Sequence, residues 1–195
     1  MEEMVPEFED YRSKGLFSAD EVKSIVRKRS AFEYRFRRRV AVLMDYLQCI
    51  QYEMNLERLR VKRKSRLGLV YKASVSDFAC KRRIHFIFER ALRKFNHDIK
   101  LWLQYIEWSI KTGSAKILNK AIPRAIGLHP RSAALWMRAA AFQFDVQNDI
   151  SAARTLVQRG LRMNSDSKEL WLFFFQMELQ YTLKLRARKA ILGID

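Results

Sequence analysis

The sequence contains few of the residues that turns, disulfides and membrane spans require. Its 195 residues include six glycines and three prolines, too few for the many turns of an all-β protein. Two cysteines, Cys49 and Cys80, form no CxxC pair and no disulfide framework, which fits a reducing compartment. No apolar run approaches the ~20 residues of a membrane span, and the acidic N-terminus lacks the pattern of a signal peptide. These absences predict a soluble, intracellular protein.

The sequence also lacks the patterns that accompany catalysis. His85, His97 and His129 show no metal-ligand spacing, and there is no Gly-rich phosphate loop. No plausible pair of nucleophile and general base stands out either. We therefore predict that the protein is not an enzyme and uses no cofactor or metal.

Positive charge is present in excess. Lys and Arg number 38 against 21 acidic residues, which gives a net charge of +17. The charge is uneven: residues 1–17 carry −3, residues 18–100 carry +13 and residues 101–195 carry +7. Such a field favours a polyanionic partner, and nucleic acid is the usual one. An acidic protein would also neutralise this surface.

A repeat of about 34 residues covers the second half of the chain. The segments RALRKFNHDIKLW, RAIGLHPRSAALW and RGLRMNSDSKELW each begin with Arg and end with Trp. The arginines are Arg90, Arg124 and Arg159, and the tryptophans are Trp102, Trp136 and Trp171. Four residues before each Trp stands a good helix N-cap, namely Asp98, Ser132 and Ser167. The Trp spacings of 34 and 35 indicate two helices per unit, as in helical-hairpin solenoids.

Within each unit the bulky side chains recur at intervals of three. Trp102-x-x-Tyr105-x-x-Trp108 is one copy, and a weaker copy with the same spacing begins at Tyr46. This spacing keeps the side chains near one helical face, so the repeated tryptophans and arginines are interpreted as packing residues. Pro123 lies inside a predicted second helix and should kink or shorten it.

The repeat resembles the half-a-tetratricopeptide (HAT) repeat, which occurs largely in RNA-processing assemblies. The resemblance implies an all-α, right-handed helical-hairpin solenoid of about three HAT units, with Trp102, Trp136 and Trp171 buried. The last unit is expected to be incomplete. The apolar run Phe173–Leu183 is therefore predicted to be exposed and to be covered by a partner protein.

The basic N-terminal region contains two capping boxes, which predict two helices. Ser18-x-x-Glu21 predicts a helix from about Ala19, and Ser30-x-x-Glu33 predicts a second helix from about residue 31 to residue 66. A basic insertion follows over residues 58–83, with a turn around residues 68–76. In the first helix Phe17, Val22 and Ile25 would be buried, whereas Arg27, Arg29 and the run 37–39 would face solvent or RNA. The basic runs are also typical of nuclear or nucleolar localisation signals.

The stretch KGLFSADEVKSIVRKRSAFEYRFRRR, followed by the Tyr46–Glu53 helix, a basic insertion and the repeats, resembles the U3 small nucleolar RNA-associated protein 6 family. The resemblance implies a non-enzymatic scaffold subunit of the small-subunit processome, located in the nucleolus. Its implied protein partners are the WD-repeat propeller proteins of the UtpB subcomplex. Its implied RNA partners are the U3 snoRNA and the 5′ leader of the ribosomal RNA precursor.

Two other functions remain open from the sequence. One is a HAT subunit of a splicing or mRNA 3′-end-processing complex, and the other is a protein-only adaptor whose basic face meets an acidic peptide. The predicted segments are an acidic terminus (1–17), a basic helical extension with a degenerate first HAT helix (18–85) and HAT repeats (86–195). Candidate RNA-binding residues are Arg37, Arg38, Arg39, Arg58, Arg60, Lys62, Arg63 and Lys64. Candidate partner-binding residues are Phe17, Val22, Ile25, Phe173 and Phe175.

Overall fold

The computed structural model describes residues 4–68 and 74–193, and within these ranges all regular secondary structure is helical. The all-α prediction is therefore confirmed. The α-helices are α1 (Val5–Ser13), α2 (Ala19–Phe36), α3 (Leu43–Arg66), α4 (Val75–Lys94), α5 (Ile99–Lys111), α6 (Ala115–Leu128), α7 (Ala133–Ala141), α8 (Ile150–Met163) and α9 (Lys168–Leu192). The chain forms two compact units, Met1–Phe95 and Asn96–Asp195, here called unit 1 and unit 2.

Helix α2 begins at the first predicted capping box. The Ser18 hydroxyl accepts from the Glu21 amide at 3.2 Å, and the Glu21 carboxylate accepts from the Ser18 amide at 2.8 Å. The second predicted capping box is wrong, because Ser30 lies in the interior of α2, which continues without a break to Phe36.

The long helix predicted over residues 31–66 is also wrong, because the chain turns between Phe36 and Leu43. The reason is aromatic packing. Phe36 at the end of α2 stacks on Tyr46 in α3, with ring centroids 4.3 Å apart and an interplanar angle of 14°. On one straight helix, ten residues would separate these rings by about 15 Å. The turn lets α3 run back along α2 and bury both side chains.

The core of unit 1 is closed by α1 and α4 packing on the α2–α3 pair. One buried cluster joins residues from α1, the following turn, α2, α3 and α4. Its members are Tyr11, Leu16, Phe17, Val22, Ile25, Leu56 and Cys80. Phe17, Val22 and Ile25 are thus interior residues of unit 1, which corrects their assignment as a partner-binding surface.

Unit 2 repeats one local structure at each predicted N-cap and tryptophan. Each indole donates to a backbone carbonyl six residues earlier: Trp102 to Asn96 at 2.9 Å, Trp136 to Pro130 at 2.8 Å and Trp171 to Ser165 at 3.1 Å. Asp98, Ser132 and Ser167 are the N-caps of α5, α7 and α9, as predicted. Asp98 and Ser167 accept capping hydrogen bonds through their side chains, and for Ser132 no such bond is formed.

The unequal Trp spacing has a structural cause in a π-helical segment, Phe142–Val146. Trp102 precedes Arg124 by 22 residues, whereas Trp136 precedes Arg159 by 23. The additional residue lies where α7 widens into the π-helix, in which the Gln147 amide donates to the Phe142 carbonyl at 3.2 Å. A π-turn absorbs a single-residue insertion without displacing the helices on either side.

Two of the three repeated tryptophans are buried, and the third is not. Trp102 and Trp136 are interior, but Trp171 is 54% exposed, so its predicted burial is wrong. The covering helix makes the difference. Gly160 of α8 packs directly on Trp136, and the Arg124 guanidinium of α6 lies 5.4 Å from the Trp102 ring centre. Among the described residues no helix follows α9 to cover Trp171 in the same way.

Helix α6 passes through Pro123 and continues to Leu128, so the predicted shortening does not occur. Pro123 is exposed, and α6 has the same 14 residues as α8 in the next repeat. The missing amide therefore removes one hydrogen bond on the solvent side without ending the helix.

Helix α9 is one continuous helix with two apolar sides. Leu170 and Met177 are buried in the core of unit 2, with Phe173 and Phe174 packed against that core. The opposite side is solvent-exposed, which confirms the predicted apolar patch. We call this side the α9 face; its apolar residues are Trp171, Leu172, Phe175, Leu179 and Leu183.

Candidate nucleic-acid interface

A buried charge network fills the centre of unit 1. The Arg29 guanidinium is fully buried and donates to Glu53 at 2.8 and 2.9 Å and to Glu7 at 3.0 and 3.1 Å. Glu53 also accepts from Arg83 at 3.0 Å. Burial disfavours the charged guanidinium, but Glu53 and Glu7 outweigh burial and hold the pKa of Arg29 above its ordinary value. The prediction that Arg29 faces solvent or RNA is therefore wrong.

The sequence carried a signal for this burial. Val22, Ile25, Arg29, Phe32 and Phe36 follow one another at spacings of three and four, so Arg29 belongs to the inward stripe of α2. A charged residue on such a stripe predicts a buried partner of opposite charge.

A second group of candidate RNA-binding residues is held in ion pairs at the end of α3. Arg60 is buried and donates to Glu57 at 2.8 and 2.9 Å and to Asp77 at 2.6 Å. Lys64 lies 3.0 Å from the same Asp77 carboxylate. Burial alone would raise the pKa of Asp77, but the hydrogen bonds from Lys64 and the Ser74 amide and the charge of Arg60 outweigh it, so the pKa is lowered.

Arg63 joins the ends of α2 and α3. It donates to Glu21 at 2.6 and 2.8 Å and to the Leu16 carbonyl at 2.8 Å, and its guanidinium lies 4.8 Å from the Phe17 ring centre. The hydrogen bond from Arg63, aided by the Ser18 amide, lowers the pKa of Glu21 to about 2. The sequence argument that no acidic residue neutralises these cations is therefore wrong for Arg60, Arg63 and Lys64.

The run Arg37–Arg39 forms the turn between α2 and α3, and its three members differ. The Asp45 carboxylate lies 3.3 Å from Arg38 and 3.8 Å from Arg35. Arg37 and Arg39 are exposed, and within residues 4–68 and 74–193 neither makes an ion pair. These two side chains therefore present positive charge to solvent.

Arg58 and Lys62 present the other available charge of the candidate set. They lie one turn apart on the exposed side of α3, and the only polar contact the described residues give them is from Arg58 to the neutral Asn55 side chain, at 2.8 Å. The structure thus brings Arg37 and Arg39 together in one turn and leaves Arg58 and Lys62 as a separate pair. No observation tests whether any of the eight candidates binds RNA, so that role stays a prediction.

The remaining candidates have mixed environments. Phe175 is exposed on the α9 face, whereas Phe173 is half-buried against the core of unit 2. The repeat arginine Arg90 pairs with Glu33 at 2.8 Å and lies 5.0 Å from the Phe36 ring centre. Arg159 is exposed.

Within the described part of the chain, no group of three or more His, Cys, Asp or Glu side chains is placed to hold a metal ion. Nor does any described helix have the length and apolar character needed to cross a membrane.

Comparison with known families and proteins supports the N-terminal resemblance. A family model described as U3 small nucleolar RNA-associated protein 6 matches residues 1–85. The U3 small nucleolar RNA-associated protein 6 of Schizosaccharomyces pombe is 42% identical over 192 residues, which are 98% of this chain and 39% of that protein. The homologs of Mus musculus and Homo sapiens are each 33% identical over 189 residues, covering 97% of this chain and 32% of theirs.

The present chain therefore spans between a third and two fifths of the length of these relatives. Similarity extends over nearly all of its own residues, through both unit 1 and unit 2. The predicted resemblance is confirmed, and the chain belongs to the U3 small nucleolar RNA-associated protein 6 family.

Proposed function

We propose that this chain is a non-enzymatic scaffold of the small-subunit processome, acting in the nucleolus in the processing of pre-18S ribosomal RNA. The observation that carries the proposal is the family match over residues 1–85, joined to 33–42% identity along nearly the whole chain. The relatives are named for association with U3 small nucleolar RNA. The proposal concerns the part of those relatives that this chain matches.

Unit 2 supplies the protein-binding part of this proposal. We assign the basic helical extension to residues 18–85 and HAT repeats forming a solenoid to residues 86–195. The recurring indole-to-carbonyl hydrogen bonds and the helix pairs of unit 2 support a repeat architecture. Its partners would be the WD-repeat propeller proteins of the UtpB subcomplex, and the apolar α9 face is the surface best suited to be covered by one of them.

Unit 1 supplies the RNA-binding part. The proposed ligands are the U3 snoRNA and the 5′ leader of the ribosomal RNA precursor, bound mainly through phosphates. Of the candidate residues, Arg37, Arg39, Arg58 and Lys62 are exposed and unneutralised, so they carry most of the contact. Arg38, Arg60, Arg63 and Lys64 contribute less, because carboxylates already hold their charges.

Affinity purification of the tagged chain from cells, followed by mass spectrometry and RNA sequencing, tests the assembly. We expect the propeller subunits of the processome together with U3 snoRNA. Recovery of splicing or 3′-end-processing factors in their place would instead support the first alternative. Recovery of proteins without RNA would support the protein-only adaptor.

RNA binding itself is tested with purified protein and a salt titration. Replacing Arg37 and Arg39 together by Ala should weaken binding to all RNAs about equally and flatten the salt dependence by about 0.7 per lost phosphate contact on single strands. Lys111→Ala, which removes an exposed cation of unit 2 that sits beside Glu107, is the matched control and should leave both quantities unchanged.

A further inference from the structure

An exposed aromatic ring lies beside the unneutralised arginines at the α2–α3 turn. Tyr34 is 73% exposed in the last turn of α2. Its position follows from helix geometry, because Phe32 and Phe36, two residues away on either side, are buried and successive residues are 100° apart. Tyr34 is thus rotated about 200° from each and points away from the core.

The ring of Tyr34 has no partner among the described residues, unlike the rings next to it. Arg35 lies 5.6 Å from the Phe32 ring centre, and Arg90 lies 5.0 Å from that of Phe36. For Tyr34 the described residues provide neither a ring contact nor a hydrogen bond from its hydroxyl. Both of its π-faces are therefore open to a ligand.

The turn that carries Tyr34 is anchored on both sides. The Arg37 amide donates to the Tyr34 carbonyl at 3.2 Å, which closes the end of α2. Phe36 stacks on Tyr46, and Asp45 holds Arg38 across the turn. A ligand would meet a ring and charges that are already positioned, which lowers the ordering cost of binding.

Charge and apolar surface flank the ring. Arg37 follows Tyr34 by three residues, which places it on the same side of the helix end, and Arg39 lies in the turn beyond it. Val40 is 74% exposed in the same turn, and Met44 is also exposed. An open aromatic face beside guanidinium groups and apolar side chains is the combination that binds an unpaired base together with its phosphates.

We propose that Tyr34 is a stacking platform for an unpaired RNA base, with Arg37 and Arg39 on the neighbouring phosphates. The inference rests on the proposed RNA-binding function and narrows its ligand to single-stranded RNA. In a duplex the bases stack on one another and their faces cannot reach the ring, whereas an unpaired base has a free face. A charged patch alone would bind both forms.

The test compares a 12-nucleotide oligouridylate, which has no internal pairing, with a duplex of the same length. Tyr34→Ala should weaken binding of the oligouridylate by about five- to 150-fold, the range found for removal of one base-stacking side chain. Tyr34→Phe should keep the affinity within about twofold, because it retains the ring. Neither change should alter duplex binding or the slope of affinity against salt, since phosphate contacts remain.

Phe78→Ala is the matched control. Phe78 is also an exposed aromatic residue of unit 1, but it lies near the start of α4, beside the end of α3 that Asp77 contacts. Tyr34 lies at the opposite end of α3, where Phe36 meets Tyr46. Phe78→Ala should therefore leave both affinities unchanged.

The possible results separate this inference from the function on which it rests. Loss of binding in the Arg37/Arg39 variant, with Tyr34→Ala unchanged, would overturn the stacking role and keep RNA binding. Equal weakening of single-strand and duplex binding by Tyr34→Ala would also overturn stacking. Failure of the unaltered chain to bind any RNA at low salt, or equal binding of polyglutamate, would overturn the RNA-binding function itself.

Discussion

Adding one methyl group at Gly160 tests whether the repeated helix contact stabilises unit 2. A Cβ built on Gly160 in α8 would lie 2.8 Å from Cγ and 2.9 Å from Cβ of Trp136 in α7. Both distances are shorter than side-chain carbons tolerate, so something must shift. Since the contacted atoms are next to the Trp136 backbone, rotation of the indole cannot relieve the clash. Gly160→Ala must move α7 and α8 apart.

The magnitude follows from two opposing effects. Alanine in a helix interior stabilises by about 0.5–1 kcal/mol relative to glycine. Overpacking a well-packed interior costs about 1–3 kcal/mol. The clash dominates, and we expect Gly160→Ala to lower the free energy of unfolding by about 1–2 kcal/mol. For a unit of about 100 residues this corresponds to a fall in melting temperature of roughly 4–16 °C.

Tryptophan fluorescence during urea or thermal unfolding measures this change in unit 2 alone, because Trp102, Trp108, Trp136 and Trp171 all lie there. Gly127→Ala in α6 is the matched control, since a Cβ at Gly127 would meet no atom within 4 Å. That variant should be unchanged or stabilised by up to about 1 kcal/mol. If both variants stabilise unit 2 equally, the close contact between α7 and α8 does not exist as described.

Three further predictions concern burial and charge. Arg29→Ala should destabilise unit 1 by about 3–5 kcal/mol in urea unfolding, because it leaves buried carboxylates unpaired, whereas Arg27→Ala on the exposed side of α2 should change stability by less than about 0.5 kcal/mol. Burial lowers the pKa of His85 from 6.5 to about 4, so the unfolded chain binds a proton first as the pH falls, and stability measured by urea unfolding should decrease from pH 7 to pH 4 with a slope that His85→Gln reduces. Trp136→Ala should cost about 3–5 kcal/mol, whereas the exposed Trp171 should tolerate the same change at much lower cost, and equal losses in thermal unfolding would contradict the burial of one and the exposure of the other.

The sequence predicted local features of this fold well because their causes are local. The N-caps Asp98 and Ser167 and the capping box at Ser18 bond to amides three residues or fewer away, so a short pattern contains all the interacting groups. The repeat period was equally visible. Its one-residue irregularity was visible as a spacing of 35, but a spacing alone does not place the extra residue, and only the structure assigns it to the π-helix after Ala141.

The end of α2 was mispredicted because its cause is not local. No glycine or proline separates Ala31 from Arg66, so helix propensity and periodicity favour one continuous helix. The chain nevertheless turns, because the stack of Phe36 on Tyr46 and the bonds from Arg29 to Glu53 form only when α3 folds back on α2. Tertiary packing overrides local propensity here.

Charge counting had the same limit at the candidate interface. Arg63 and its partner Glu21 are 42 residues apart, and Arg60 and Asp77 are 17 apart, so a local count of charge treats all of them as free. Folding spends much of the apparent field of unit 1 on ion pairs between helices. The remaining unpaired cations are then fewer but better located, since Arg37 and Arg39 share a rigid turn with an open aromatic ring. The affinity of unit 1 for RNA should therefore depend on a few positions at that turn and on the exposed side of α3, rather than scale with the net charge of the chain.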